Sequence, residues 1–230
     1  MHLAKPAVDV GLFTNNLPAM LRFWQEEVGL PFEELLPLGG GARQHRHGMN
    51  GSVLKINEAR DPLPGTPPAG YRELFIAREG VTSPRTLTDP DGNRVTLVPP
   101  GTDGITGIGV RLGVRDEAAF DRFYSEGLGL APAGPRAYRC GTSLLMFEHD
   151  PAATRTDEMR GPGFRYLTVQ VFDVDAEHSQ LLARGVEQGR APVTLGATAR
   201  ISFIRDPDGN WIEVSQRASL TGPLPAEKDR

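Results

Sequence analysis

Alternating apolar and polar residues mark short strands along this chain, and two stretches with helical spacing interrupt them. The alternation predicts strands over Val8–Phe13 and Ile108–Val114. Each is followed by a predicted helix, over Leu17–Val28 and Glu117–Gly127, in which the apolar side chains form one stripe. The pattern therefore predicts the same strand-then-helix unit twice, with each helix packed on a sheet.

Further short strands are predicted after each helix. They cover Phe32–Pro37, Arg43–Gly48, Ser52–Asn57 and Arg72–Ala77 in the first half, and Arg136–Arg139, Thr142–Glu148 and Arg165–Phe172 in the second. The Asn50-Gly51 pair is typical of a tight hairpin turn. The 27 glycines and 20 prolines among 230 residues also favour many turns and short strands over a helical bundle.

Three segments recur in the same order, which indicates a duplication. VGLFTNNLPAMLRFWQEEVGL (10–30) resembles VRLGVRDEAAFDRFYSEGLGL (110–130), GYREL (70–74) resembles GFRYL (163–167), and TDPDGNRVTL (88–97) resembles RDPDGNWIEV (205–214). Between the second and third segments the second copy carries DVDAEHSQLLARGV, which predicts an amphipathic helix ending at Gly185. The first copy has only REGVTSP there, so we expect its equivalent helix to be deleted.

The Pro/Gly-rich stretch 99–104 reads as a linker between two similar units. It divides the chain into a first domain at 1–98 and a second, complete domain at 105–217. The tail at 218–230 is expected to be loose, and 60–69 is expected to form an extended loop.

Composition excludes several classes of protein. The formal net charge of −4 argues against nucleic-acid binding, which needs a basic face. The chain has no apolar run long enough to span a membrane, and the N-terminus has no apolar secretory core, so a cytoplasmic protein is expected. Cys140 is the single cysteine, which leaves no partner for an intrachain disulfide.

A strand is followed by a helix with the pattern F-[YW]-x-x-x-[LV]-G-L and then by strands ending in RDPDGNWIEV. This arrangement resembles the vicinal oxygen chelate superfamily of glyoxalases, bleomycin resistance proteins and extradiol dioxygenases. The resemblance spans about residues 7–217. It implies an α+β fold of four tandem βαβββ modules, the second one truncated, which form two glyoxalase-like domains. Their strands would curl into cups that take a small molecule.

In metalloenzymes of this superfamily, inward residues on four strands of a domain hold a divalent metal such as Fe, Mn, Ni or Zn. In the second half the resemblance places these positions on Gly109, Met146, Tyr166 and Glu213. In the first half it places them on Asp9, Lys55, Glu73 and Thr96. Neither set is the standard one, because the second half offers one carboxylate and the first half puts a cation in the site.

His45 and His47 lie two residues apart, so on a strand they share a face. With Asp9 or Glu73 they could form an unusual metal site in the first half. The alternatives are an exposed basic hairpin and a cationic rim that attracts an acidic substrate.

Glu213 is the strongest catalytic candidate, because a carboxylate buried in a cup could serve as a general base. Tyr166 on the facing strand could orient or protonate a substrate oxygen. Candidate substrate-binding residues on the same cup are Arg111, Thr168, Gln170, Trp211 and Met146. The alternative is a structural carboxylate bonded to Tyr166 or paired with Arg111.

Two functions follow from the resemblance. One is an enzyme, a lyase, isomerase or dioxygenase acting on a small oxygenated molecule. The other is a metal-free sequestration protein of the bleomycin-resistance type, which would hold a drug against Trp211 with Glu213 as its counter-charge. Either would take a small-molecule partner and neither a nucleic acid nor a membrane; a homodimer is a reasonable expectation for this superfamily.

Overall fold

A computed structural model describes residues 1–39 and 41–224. The strands are β1 (Asp9–Thr14), β2 (Phe32–Gly39), β3 (Ala42–Met49), β4 (Ser52–Glu58), β5 (Tyr71–Ala77), β6 (Arg85–Thr88), β7 (Arg94–Val98), β8 (Ile108–Val114), β9 (Ala131–Gly134), β10 (Ala137–Cys140), β11 (Ser143–His149), β12 (Gly163–Gln170), β13 (Glu187–Leu195), β14 (Ala199–Arg205) and β15 (Trp211–Arg217). The helices are α1 (Leu17–Arg22), α2 (Glu117–Arg122), α3 (Val174–Ala183) and α4 (Ala218–Thr221). The α+β fold predicted from the sequence is confirmed.

The two predicted strand-then-helix units are present, and their helices end alike. α1 and α2 each continue as a π-helical turn, closed by bonds from Val28 N to Phe23 O (3.0 Å) and from Leu128 N to Phe123 O (2.8 Å). The next residue is glycine in both, and Gly29 has a φ of +77°. That left-handed conformation favours glycine, so the Gly-Leu pair marks the end of each helix.

The predicted deletion in the first copy is confirmed. α3 follows β12, is capped at its start by Asp173 and ends before Gly185, whose φ is +83°. At the equivalent place in the first copy, residues 78–84 join β5 directly to the hairpin of β6 and β7. This copy therefore lacks the counterparts of both α3 and β13.

The strands form two sheets that mix the sequence halves. One sheet has the order β13-β14-β15-β12-β1-β4-β3-β2, and the other has the order β6-β7-β5-β8-β11-β10-β9. The resemblance implied a cup within one or both of the halves 1–98 and 105–217. Instead the first module pairs with the fourth through β1 and β12, and the second pairs with the third through β5 and β8. The short 99–104 linker brings β8 beside β5, which leaves β1 free to pair with β12.

The two DPDGN turns hold the sheets together. Asn210 Oδ1 accepts a bond from the amide of Gly70 at 2.5 Å, and Asn93 Oδ1 accepts one from the amide of Phe164 at 3.0 Å. Each turn thus binds the first strand of a module in the other sheet. Inside its turn Asp206 accepts bonds from Asn210, and burial raises the pKa of this carboxyl to about 7.

The main core lies between the sheets and the helices that cover them. Its largest fully buried side chain is Trp24, which Phe23 and Phe164 contact edge-on. Among the described residues, no helix is long and apolar enough to cross a bilayer. The predicted loose tail begins with α4, and 225–230 lie outside the described residues.

Candidate functional site

Strand alternation gives the eight-stranded sheet one face against the helices and one cup-shaped face. On β1, Val10 and Leu12 pack into the main core, while Asp9, Gly11 and Phe13 point to the opposite face. Corresponding residues of β4, β12 and β15 join them there. The cup is therefore built by the first and the last module together.

One end of this face holds a cavity of about 360 Å³. Its apolar wall is Phe13, Leu38, Met159, Val193, Leu195, Ile201 and Phe203. Its polar residues are Gln44, Asn57, Arg60, Asp61, Arg160, Tyr166, Arg190 and Glu213. The volume and this mixture are typical of a small-molecule site.

Tyr166 supplies a hydrogen-bond donor to this cavity. Its hydroxyl accepts bonds from Asn57 Nδ2 (3.1 Å) and Gln44 Nε2 (3.4 Å), and burial raises its pKa. The phenol therefore keeps its hydrogen, which no other described residue accepts. Gly11 makes room for the ring, because a Cβ at that position would lie 2.2 Å from two Tyr166 ring atoms.

Lys55, Thr168 and Glu213 form a closed network beside Tyr166. Lys55 Nζ lies 2.7 Å from Glu213 Oε2 and 2.7 Å from Thr168 Oγ1, and the threonine hydroxyl lies 2.7 Å from the same carboxylate oxygen. Lys55 and Glu213 are 3% and 8% exposed. Two buried opposite charges at this distance compensate each other, so the network needs no further ion.

A protein-family model and several solved structures are similar to this chain. Residues 108–214 match the family model of the Glyoxalase/Bleomycin resistance protein/Dioxygenase superfamily. That segment belongs to the superfamily. Sequence comparison with curated proteins gives no match.

Solved structures of the glyoxalase superfamily share the fold along nearly the whole chain. Glyoxalase I from Zea mays is similar with a TM-score of 0.69 at 15% identity, over 91% of this chain and 92% of that one. A candidate dioxygenase from Bacillus subtilis has a TM-score of 0.68 at 12% identity, over 100% of this chain and 91% of its own. At these identities the likeness shows the fold, so the chemistry must be read from this chain's own residues.

The metal of the glyoxalase superfamily does not fit either cup. With the modules paired as observed, the expected ligand positions of the eight-stranded sheet are Asp9, Lys55, Tyr166 and Glu213. Those of the other sheet are Glu73, Thr96, Gly109 and Met146. In the first set the Lys55 ammonium already binds the carboxylate that a cation would need. No group of three or more His, Cys, Asp or Glu side chains in the described ranges could hold a metal ion.

The proposed site of His45, His47, Asp9 and Glu73 is wrong. Both histidines face the helices, because His47 Nε2 lies 2.9 Å from Gln25 Nε2 beyond α1, while Asp9 faces the cup. Glu73 belongs to the other sheet. The exposed basic hairpin is wrong as well, since His47 is fully buried and the His45 side chain is 12% exposed.

His47 predicts a pH dependence of stability. Burial lowers its pKa to about 4, so the fold holds it neutral while the unfolded chain binds a proton below pH 6.5. Because protonation of His47 then favours the unfolded chain, the free energy of unfolding falls as the pH is lowered from 6.5 toward 4. Between pH 7.5 and pH 5 we expect wild type to lose roughly 2 kcal/mol more unfolding free energy than His47→Gln in urea titrations.

The exposed His149 provides the control for this experiment. His149→Gln should keep the wild-type pH dependence. Equal losses in wild type and His47→Gln would show that His47 is not the group responsible.

Arg111 and Met146 do not join Glu213, because they belong to the second sheet. Arg111 lies 2.9 Å from Glu73 Oε2 and over the ring of Phe75. The corresponding face of that sheet is filled by its own apolar side chains, namely Phe75, Ala77, Val98, Ile105, Ala137 and Leu144, with Met146 against them. The expectation that residues 105–217 alone provide the better cup is therefore wrong.

The other predicted binding residues, Thr168, Gln170 and Trp211, lie on the cup face at different distances from the cavity. Thr168 is in the Lys55 network, and Gln170 lies one step further from the cavity on β12. Trp211 packs beside the cavity against Phe203 and is 6% exposed. Their roles toward a ligand stay predictions.

Sequence reasoning missed Asn57, Gln44 and Phe203. Asn57 follows Lys55 by two residues, so strand alternation could have placed it on the cup face. Gln44 precedes His45 on β3, so strand alternation puts it on the face opposite the two histidines. Phe203 could be assigned to the cup only from the pairing of β14 with β15, which the sequence does not give.

Proposed function

We propose that the cup of the eight-stranded sheet binds a small, flat, oxygenated organic molecule without a metal. The observation that carries this proposal is the Lys55–Glu213 pair, which puts a protein cation where a metalloenzyme of the superfamily would hold its ion. The apolar wall would cover the ligand's ring. The hydrogen of Tyr166 would bind its oxygen.

The charged side chains around the cavity favour an acidic ligand. Three arginines line the cavity, namely Arg60, Arg160 and Arg190, and Lys55 lies behind the Tyr166 ring, against the two carboxylates Asp61 and Glu213. Arg190 forms no ion pair in the described part of the chain; its guanidinium lies over the rings of Phe203 and Trp211. A carboxylate on the ligand would balance this excess of positive charge.

Binding is better supported than turnover. A lyase, isomerase or dioxygenase reaction with Glu213 as base would use a carboxylate whose Oε2 already accepts hydrogens from Lys55 and Thr168. Sequestration needs only the shape of the cavity and the hydrogen-bond donors that line it. A Glu213→Gln variant separates the two, because it would abolish base catalysis.

Tyr166→Phe tests the site with 2-naphthoate as the probe. We expect about tenfold weaker binding by calorimetry, because a hydrogen bond to a charged group is lost. Tyr138→Phe is the matched control, since Tyr138 lies in the other sheet. Excess chelator should leave wild-type binding unchanged; binding that requires a divalent metal, or that Tyr166→Phe leaves intact, would contradict the proposal.

A further inference from the structure

The cup face carries a second, larger recess of about 860 Å³, which shares no lining residue with the cavity beside Tyr166. We call it the polar groove. Along β12, Tyr166 lines the cavity, Thr168 belongs to the Lys55 network and Gln170 lines the groove. Along β4 the same order is Asn57, Lys55 and Val53. The Lys55 network therefore separates two compartments on one face.

The floor of the polar groove is rich in acceptors. Asp9 is fully buried; its Oδ1 accepts from Lys5 Nζ at 2.6 Å and from the amide of Val53 at 2.8 Å. Within the described ranges, its Oδ2 accepts one bond, a long one of 3.3 Å from Gln170 Nε2. Gln170 is 2% exposed, and its Oε1 has no partner among the described residues.

An unpaired buried amide oxygen beside a carboxylate is costly unless a donor reaches it. Lys5 shows which kind of donor suits Asp9, because its primary ammonium already lies at hydrogen-bond distance from the carboxylate. A ligand ammonium has three hydrogens, enough to bond both Asp9 Oδ2 and Gln170 Oε1.

A different wall of the polar groove carries the opposite charge. Glu34 Oε1 lies 3.1 Å from Arg46 Nε and is also bonded by Arg217, so two guanidinium groups share one carboxylate. The Arg46 and Arg217 side chains are 6% and 15% exposed. This cluster keeps one positive charge in excess, which suits a carboxylate.

We propose that the polar groove binds a zwitterion, an amino acid or short peptide, with its ammonium on Asp9 and Gln170 and its carboxylate on the Arg46–Arg217 pair. The two clusters lie on different strands, so the ligand must carry both charges at separate ends. The volume has room for more than a single amino acid.

Calorimetry with the dipeptide glycylleucine tests this site in the full chain. We expect binding by wild type and at least about tenfold weaker binding for both the N-acetyl derivative and the C-terminal amide. Gln170→Leu should weaken glycylleucine binding by a similar factor, because it removes the unpaired oxygen. The exposed Gln180 on α3 supplies the matched control, Gln180→Leu, which should bind as wild type.

No heat with glycylleucine up to about 10 mM, or equal affinity for the N-acetyl derivative, would overturn the proposal. Arg217→Leu is a second variant in case Gln170→Leu fails to fold, and it should weaken the dipeptide more than its amide. Binding of 2-naphthoate should stay unchanged in both variants. The proposal for the polar groove and the proposal for the cavity can therefore be contradicted independently of each other.

Discussion

Replacing Lys55 by methionine should lower the free energy of unfolding by about 3–5 kcal/mol. The substitution keeps most of the side-chain volume and removes the ammonium that binds Glu213 Oε2 and Thr168 Oγ1. Glu213 is then left as a buried carboxylate without its counter-charge. Urea-induced unfolding followed by circular dichroism measures the loss.

The double variant Lys55→Met/Glu213→Gln separates charge from packing. Removing both charges should restore most of the lost stability, since a buried ion pair and a neutral pair of similar volume differ little. The coupling energy between the two positions is read from the double-mutant cycle. A double variant as unstable as Lys55→Met alone would show that packing, and not the ion pair, accounts for the loss.

Lys5→Met gives the comparison on the same face. Lys5 also binds a fully buried carboxylate, Asp9, but its own side chain is 17% exposed. Water can reach Asp9 through the space that the ammonium leaves, so the loss should be smaller than at Lys55.

Replacing Asn210 by alanine should cost about 2–3 kcal/mol. Its side chain accepts from the amide of Gly70 and donates to Asp206 Oδ2, so the change leaves the buried Gly70 amide and one oxygen of the buried Asp206 carboxyl without these partners. Gly70 leads into β5, which lies in the other sheet, so the loss should appear in one cooperative unfolding transition of both sheets.

Asn93→Ala is the matched variant from the duplicated turn. Asn93 makes the same contact with the amide of Phe164 but is only half-buried, so a smaller loss is expected. Asn16→Ala should change little, because the Asn16 side chain does not cap α1. An Asn210→Ala protein with two separate transitions would instead indicate that the sheets unfold independently.

Much of this fold could be predicted from local pattern. The helix ends, the deletion before β6 and the two DPDGN turns follow from glycine conformations and alternation, which are properties of neighbouring residues. The duplication predicted two copies, and the resemblance to the superfamily predicted four modules. Neither predicted their pairing, because each strand edge could join more than one partner with the same alternation.

The site shows the same division. Glu213, Tyr166 and Thr168 were correctly placed on one cup face, since residues two apart on a strand share a face. Lys55 was recognised as a cation in a ligand position, yet its partner Glu213 lies 158 residues away in the fourth module. Arg111 and Glu213 were joined wrongly for the same reason. The sequence by itself determined which residues could face a cup; only the pairing of β1 with β12 decided which of them meet, because hydrogen bonds between distant strands set which charges lie close enough to compensate each other.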